Sequence, residues 1–217
     1  MVHSWFAASC AALAGICYLA YSAVFFFDPC RNSTNAHMFM SLFREEPRFY
    51  MWRSRILGVG AALALGMIPA SLELVSAHPT DLLLWATGLA FVGFALSSVS
   101  NLRSLQILPV VHGDHERSGE EARTALARSI SYVHLDPRGW FTFGGVGVWV
   151  AVLSAYGLQE GTIPLVLAVV GFVLGLLYAT VVAAGVFHRY AVFGVVAGAG
   201  GLLLSPLWFL WVAWLLR

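Results

Sequence analysis

Six apolar stretches, at residues 4–27, 54–77, 80–101, 137–157, 163–187 and 190–216, run through this chain, and no charged residue occupies the middle of any of them. Each is 21 to 27 residues long. A helix rises about 1.5 Å per residue, so each can cross the roughly 30 Å of a bilayer's hydrocarbon core. Inside lipid every backbone N–H and C=O needs a partner within the protein, which leaves helices or a closed barrel. The alternating pattern of a barrel strand is absent. The expected fold is an all-α membrane protein, one transmembrane domain over 1–217 with about six spanning helices. Composition agrees: 11% of residues are charged, against about 25% in a soluble domain. Six spans leave no length for a globular domain in water.

The charges set an orientation. All twelve basic residues are arginine, which removes lysine from any catalytic role. Arg31, Arg44, Arg48, Arg53 and Arg55 fall in or beside the connection after span one. Arg103, Arg117, Arg123, Arg128 and Arg138 fall in or beside the one after span three, and Arg189 between spans five and six. With six spans these connections share a side, and eleven of twelve arginines lie on it; Arg217 lies opposite. The positive-inside rule makes that side cytoplasmic, with both termini outside (N-out/C-out).

Two cytoplasmic-side interfacial helices are expected in the long connections. Over 36–46, Met38, Phe39, Leu42 and Phe43 share one face, and Pro47 ends the run. In the second, Ser118 and Glu121 form a capping-box pattern ahead of Ala122, Leu126 and Ile130, with Arg123 and Arg128 placed to reach lipid phosphates. Asp136-Pro137 reads as an N-cap and first-turn proline opening span four. The first apolar run lacks a basic leader and is too long for a signal sequence, so it reads as a retained helix. Cys10 and Cys17 lie about 10 Å apart along one helix, too far for a disulfide. Cys30 lies just past span one as a free thiol or lipidation candidate.

Gly144, Gly145 and Gly147 in span four, the Gly171/Gly175 pair in span five and the Gly194/Gly198 pair in span six let backbones approach closely. Trp208, Trp211 and Trp214 read as an aromatic belt at the outer end of span six, and Pro206 as a kink in it.

Sites of chemistry are sparse. The seven histidines (His3, His37, His78, His112, His115, His134 and His188) all lie at span ends or in connections, which disfavours haem at membrane depth. The densest polar run places His112, Asp114, His115 and Glu116 within five residues. With His134 or His37 these are the candidate metal ligands, although the spacing is not that of a helical HExxH site. A solvated, flexible loop accounts for the run equally well. Glu73 is the one acid within a span, about a turn from its outer end. An inverted three-plus-three repeat finds no support, because loop lengths and proline positions differ between the halves. Walker A, Gly-x-Ser-x-Gly and CxxC motifs are missing, and nothing favours nucleic acid.

The run Leu135-Asp136-Pro137-Arg138-Gly139-Trp140-Phe141, then Gly144-Gly145-Val146-Gly147-Val148-Trp149, Gly161-Thr162-Ile163-Pro164 and Ser205-Pro206-Leu207-Trp208-Phe209, resembles a family of small bacterial polytopic membrane proteins known only as a domain of unknown function. The resemblance covers about residues 135–217. It implies bacterial origin, and so a bacterial cytoplasmic (inner) membrane as the expected home, and a helical membrane fold, with no catalytic residues to carry over.

Three functional expectations follow. The leading one is a non-enzymatic membrane subunit or scaffold, self-associating as a homo-oligomer or accessory to a larger complex. The second is a binder or carrier of an apolar ligand such as lipid, quinone or carotenoid. The third is an interfacial metal-dependent enzyme built on residues 112–116.

Overall fold

The computed structural model describes residues 4–32, 36–117, 119 and 135–217. Among them the regular structure is helical: α1 (Trp5–Phe27), α2 (Ala36–Glu45), α3 (Pro47–Val75), α4 (Asp81–Arg117), α5 (Val146–Gln159), α6 (Leu165–Val186), α7 (Tyr190–Gly198) and α8 (Ser205–Leu215). A π-helical segment, Trp140–Gly145, leads into α5, and another, Ala199–Leu204, joins α7 to α8. Six helices are long and apolar enough to cross a membrane: Trp5–Phe27, Pro47–Val75, Asp81–Asp114, Trp140–Gln159, Leu165–Val186 and Gly194–Leu215. Their outward faces carry large apolar side chains, such as Leu165, Leu176 and Val195, more than 60% exposed. A surface of that kind is stable against lipid tails and not against water.

Consecutive spans lie side by side, and α8 returns to pack on α1, closing a ring of helices. Two crossings are backbone-close. Gly175 meets Gly147, where an added Cβ would stand 2.9 Å from the Gly147 carbonyl oxygen. Gly145 faces α4, where a Cβ would stand 3.0 Å from the Leu89 carbonyl oxygen. The half of the bundle farther from the arginines is filled by rings: Trp149 and Trp208 lie 5.4 Å apart, edge to face, with Phe94 and Phe209 against them. The Thr80 and Tyr156 hydroxyls, 2.6 Å apart, tie α4 to α5 at that end.

Several expectations are corrected. The helix that carries span two begins at Pro47, ahead of the apolar stretch at 54, and the helix of span three continues past 101 to Arg117. Hydropathy marks what lipid must cover; the helix itself ends only where packing and hydrogen bonding stop. Here they persist, because Phe43, Tyr50 and Leu108 from α2, α3 and α4 form a second buried cluster with Cys30. The 112–116 run is therefore helical, and no loop. The apolar face of α2 turns to this cluster, with Met40 and Phe43 buried and Met38 exposed. The second expected amphipathic helix, with Arg123 and Arg128, lies outside the described residues.

Asp136 does cap span four, from farther away than expected. Its carboxylate accepts the N–H groups of Trp140, Phe141 and Thr142 at 2.8–2.9 Å and the Thr142 hydroxyl at 2.9 Å. Pro137 and Arg138 form a turn before the helix. Gly139, at φ +73, completes it in the left-handed region that suits glycine. Trp208 is fully buried among the rings and Trp214 is exposed, so the three tryptophans do not share a belt. Among the described residues the Gly194/Gly198 pair meets no other span: a Cβ at Gly194 would meet no atom within 4 Å, and one at Gly198 only Leu202 of its own span.

Candidate functional site

The sixth span is broken, and the break opens a cavity. Its first half, α7, packs on α6, whereas its second half, α8, packs mainly on α1. The π segment between them absorbs the change of direction, with Pro206 just beyond it. The face of α7 bearing Gly194, Ala197 and Gly198 then lines a cavity of about 250 Å³ within the arginine-side half of the bundle. Its other walls are Tyr18, Tyr21 and Phe25 of α1, Leu57 of α3, Phe94 and Ser97 of α4, Thr142 and Phe143, and Tyr178 of α6.

Both π segments border this space, one through Thr142 and Phe143 and the other through Gly201 and Leu202. A π turn replaces i→i+4 bonds by i→i+5 bonds at some cost, and such turns occur mostly where function requires a displaced side chain or carbonyl. Each is held by a side chain from elsewhere. Asp136 holds the first. Ser22 of α1 donates to the Leu202 carbonyl at 3.0 Å as well as to Tyr18 of its own helix at 2.8 Å. The Tyr178 hydroxyl stands 2.6 Å from that of Ser205, the first residue after the second π segment. Tyr178 also meets Phe143 edge to face at 5.2 Å, and Tyr18 stacks on Phe209 at the same separation.

Toward the arginine-rich end the aromatic cavity gives way to a polar vestibule of about 380 Å³. The two share Tyr21, Leu57, Ser97, Thr142 and Phe143, and the vestibule adds Tyr50, Arg53, Ser54, Ser100, Asn101 and Asp136. Arg53 is its cation. Its guanidinium is 2.7 Å from Asp28 and lies over the rings of Tyr50 and Phe25, at 4.7 and 5.6 Å. Asp28 is fully buried. One carboxylate oxygen accepts the Cys30 N–H at 2.9 Å; the other makes no well-aligned hydrogen bond, so the charge of Arg53 balances it. Burial first, then the neighbouring Asp28 charge and hydrogen bond, push the Cys30 thiol up to about 12. A buried, protonated thiol has neither the room nor the nucleophilicity that acylation requires.

The acids and the amide of this arrangement are engaged within the protein. Asp28 is spent on Arg53, Asp136 on a helix end and Asn101 on the Ser97 carbonyl at 2.8 Å. Arg53, beside its carboxylate, presents hydrogen-bond donors with little net charge. An aromatic chamber behind a nearly neutral polar mouth suits an apolar molecule with one hydrogen-bonding end.

The residues singled out in the sequence lie elsewhere. His112 is half-buried on α4 with its ring 5.6 Å from Phe43, and Asp114 is exposed. His115 and Glu116 fall within the same helix, but their side chains, like that of His37, lie outside what is described, and so does the whole of His134. Among the described residues no three His, Cys, Asp or Glu side chains come together as a metal-ligand set. Glu73 is exposed on α3 and forms no ion pair among the described residues. The site's own residues carried faint signals in the sequence: an Asp-Pro pair closing span one, tyrosines within spans one and five, and glycine pairs at 144–145 and 200–201.

No protein-family model, curated protein or solved structure matches the chain. Function is argued from the site.

Proposed function

We propose that this protein binds or carries an apolar, flat ligand bearing one neutral hydrogen-bonding end, of the quinone class, within a bacterial cytoplasmic membrane. The observation that carries this reading is the aromatic cavity, bordered by both π segments and continuous with the vestibule at Arg53. Rings on several sides favour stacking against a planar conjugated body, and the donors of the vestibule favour a carbonyl or hydroxyl oxygen. The exposed Gly194 of α7, at the cavity wall, supports a side entrance from the membrane. The asymmetry of the arginines supports an arrangement in which the vestibule faces the cytoplasm and both chain ends face outward. The likeness of residues 135–217 to small bacterial membrane proteins fits this placement and names no ligand.

The test is to purify the protein in mild detergent, extract it with organic solvent and analyse the extract by mass spectrometry. One apolar compound near one per chain is expected, lost at least tenfold from Gly198→Leu, whose side chain fills the cavity. An extract holding only bulk membrane lipid, identical for both proteins, would refute the reading.

A second reading, an accessory subunit or scaffold, draws on the same open α7 face. Gly194 and Gly198 are spaced for a helix from another chain to pack on them. Crosslinking from a cysteine placed at Gly194, performed in native membranes, distinguishes a protein neighbour from lipid.

A further inference from the structure

The elbow between α2 and α3 holds a basic groove that the proposed ligand site does not use. Its volume is about 520 Å³, and its walls include Arg44, Arg48, Met51, Trp52, Arg55 and His112. Arg48, Trp52 and Arg55 recur at helical spacing and so share one face of α3. The Arg55 guanidinium rests over the Trp52 ring at 5.2 Å and pairs with no carboxylate among the described residues. Arg48 lies over Phe49 at 5.2 Å and is joined to Glu46 at 2.8 Å, with both side chains largely exposed. Among the described residues the acids nearby are Glu46, the exposed Glu45 of α2 and, two residues beyond His112, the exposed Asp114 of α4.

The length of α3 places this groove relative to lipid. The helix has 29 residues, about 43 Å at 1.5 Å per residue, which exceeds a hydrocarbon core of about 30 Å. From Ile56 to Val75 the helix is apolar apart from Ser71 and Glu73, and those 20 residues alone match the core. Arg48, Trp52 and Arg55 are left in the layer where phospholipid phosphates lie. Trp52 is 55% exposed, as suits an indole at a membrane boundary.

We infer that the groove formed by Arg44, Arg48, Trp52, Arg55 and His112 binds the phosphodiester headgroup of an anionic phospholipid. Guanidinium forks grip phosphate oxygens through paired N–H donors, and the groove's open side faces the layer from which such a lipid arrives. Zwitterionic lipid carries the same phosphate beside its own cation and gains less.

Full-length protein in mild detergent is mixed with phosphatidylglycerol or phosphatidylcholine, and retained lipid is counted by native mass spectrometry. Phosphatidylglycerol is retained preferentially, and millimolar inorganic phosphate does not displace it. Arg48→Gln with Arg55→Gln weakens that retention about thirtyfold, the effect of two surface charges. Arg103→Gln with Arg189→Gln, exposed at the same end but outside the groove, leaves it unchanged, and both double variants keep the melting temperature of the parent. Equal retention of the two lipids, full retention by the groove variant or an equal loss in the control would overturn the site. Displacement by inorganic phosphate would overturn the lipid as its occupant.

Discussion

Arg53 and Asp28 form an ion pair of 2.7 Å between α3 and the end of α1, with the carboxylate fully buried and the guanidinium side chain 17% exposed. Removing one member of such a pair leaves the other charge without compensation, at a cost of about 3–5 kcal/mol. Asp28→Asn is therefore expected to lower the thermal unfolding midpoint in detergent sharply. Asp28→Leu combined with Arg53→Met should recover most of the loss, since neither charge is then buried alone. A double variant no more stable than the single would show that the pair holds the fold through something other than charge.

The glycines divide into two kinds that mutagenesis can separate. An alanine at Gly175 would press its Cβ to 2.9 Å from a backbone oxygen of Gly147, and overpacking of this kind costs about 1–3 kcal/mol. The same change at Gly194 meets open space and removes a helical glycine, a gain of about 0.5–1 kcal/mol. Thermal melts of Gly175→Ala and Gly194→Ala in the same detergent should move in opposite directions.

The Cys30 thiol, held near 12 by burial and by Asp28, is expected to resist alkylation. An ordinary thiol titrates near 8.5, so raising the pH from 7 to 9 activates it. The raised folded value keeps Cys30 protonated across that window. In a protein carrying Cys10→Ala and Cys17→Ala, maleimide at pH 8.5 should label Cys30 at least a hundredfold more slowly in mild detergent than after unfolding in dodecyl sulfate. Rapid labelling of the folded protein would place the thiol in water.

Besides the Asp28 oxygen that faces Arg53, three buried polar atoms stand without a hydrogen-bond partner among the described residues: the Ser154 hydroxyl and the indole nitrogens of Trp149 and Trp208. Ser154 and Trp208 both crowd Gly171. An unsatisfied buried hydroxyl costs about 1–3 kcal/mol. Ser154→Ala is accordingly expected to match or exceed the parent in thermal stability, whereas substitution of a satisfied serine such as Ser22, which bonds α1 to the second π segment, should lower it.

How much of this was written in the sequence depends on which force shaped each part. The spans were legible because lipid demands long apolar runs, and all six reappear as helices. Helix ends were not, because residues 47–53 and 102–117 are held by packing in the Phe43–Tyr50–Leu108 cluster and not by any need for lipid. The same cause turned the expected 112–116 loop into helix. Asp28 and Arg53 border spans one and two in the sequence, and only the fold brings residues 25 positions apart to 2.7 Å. Tyr18, Tyr21, Phe94, Phe143 and Tyr178 cannot be told in a sequence from aromatics that face lipid; four separate spans must meet before they enclose anything. The Gly194/Gly198 pair had the spacing of a packing motif, and its open face follows from the bend at residues 199–204.

The two π segments also set a limit on how this chain can vary. A π turn holds one residue more than the α turn it replaces. A chain one position shorter at 199–204 therefore closes into α register with Trp208 and Phe209 on their present faces, whereas straightening 199–204 into α-helix at full length swings both by about 100°. In that second case Tyr178 would lose Ser205, and the indole that fills the bundle's far half would point toward lipid. For this molecule, a glycine can be subtracted at 200 or 201 only by giving up the displaced turn that borders the cavity.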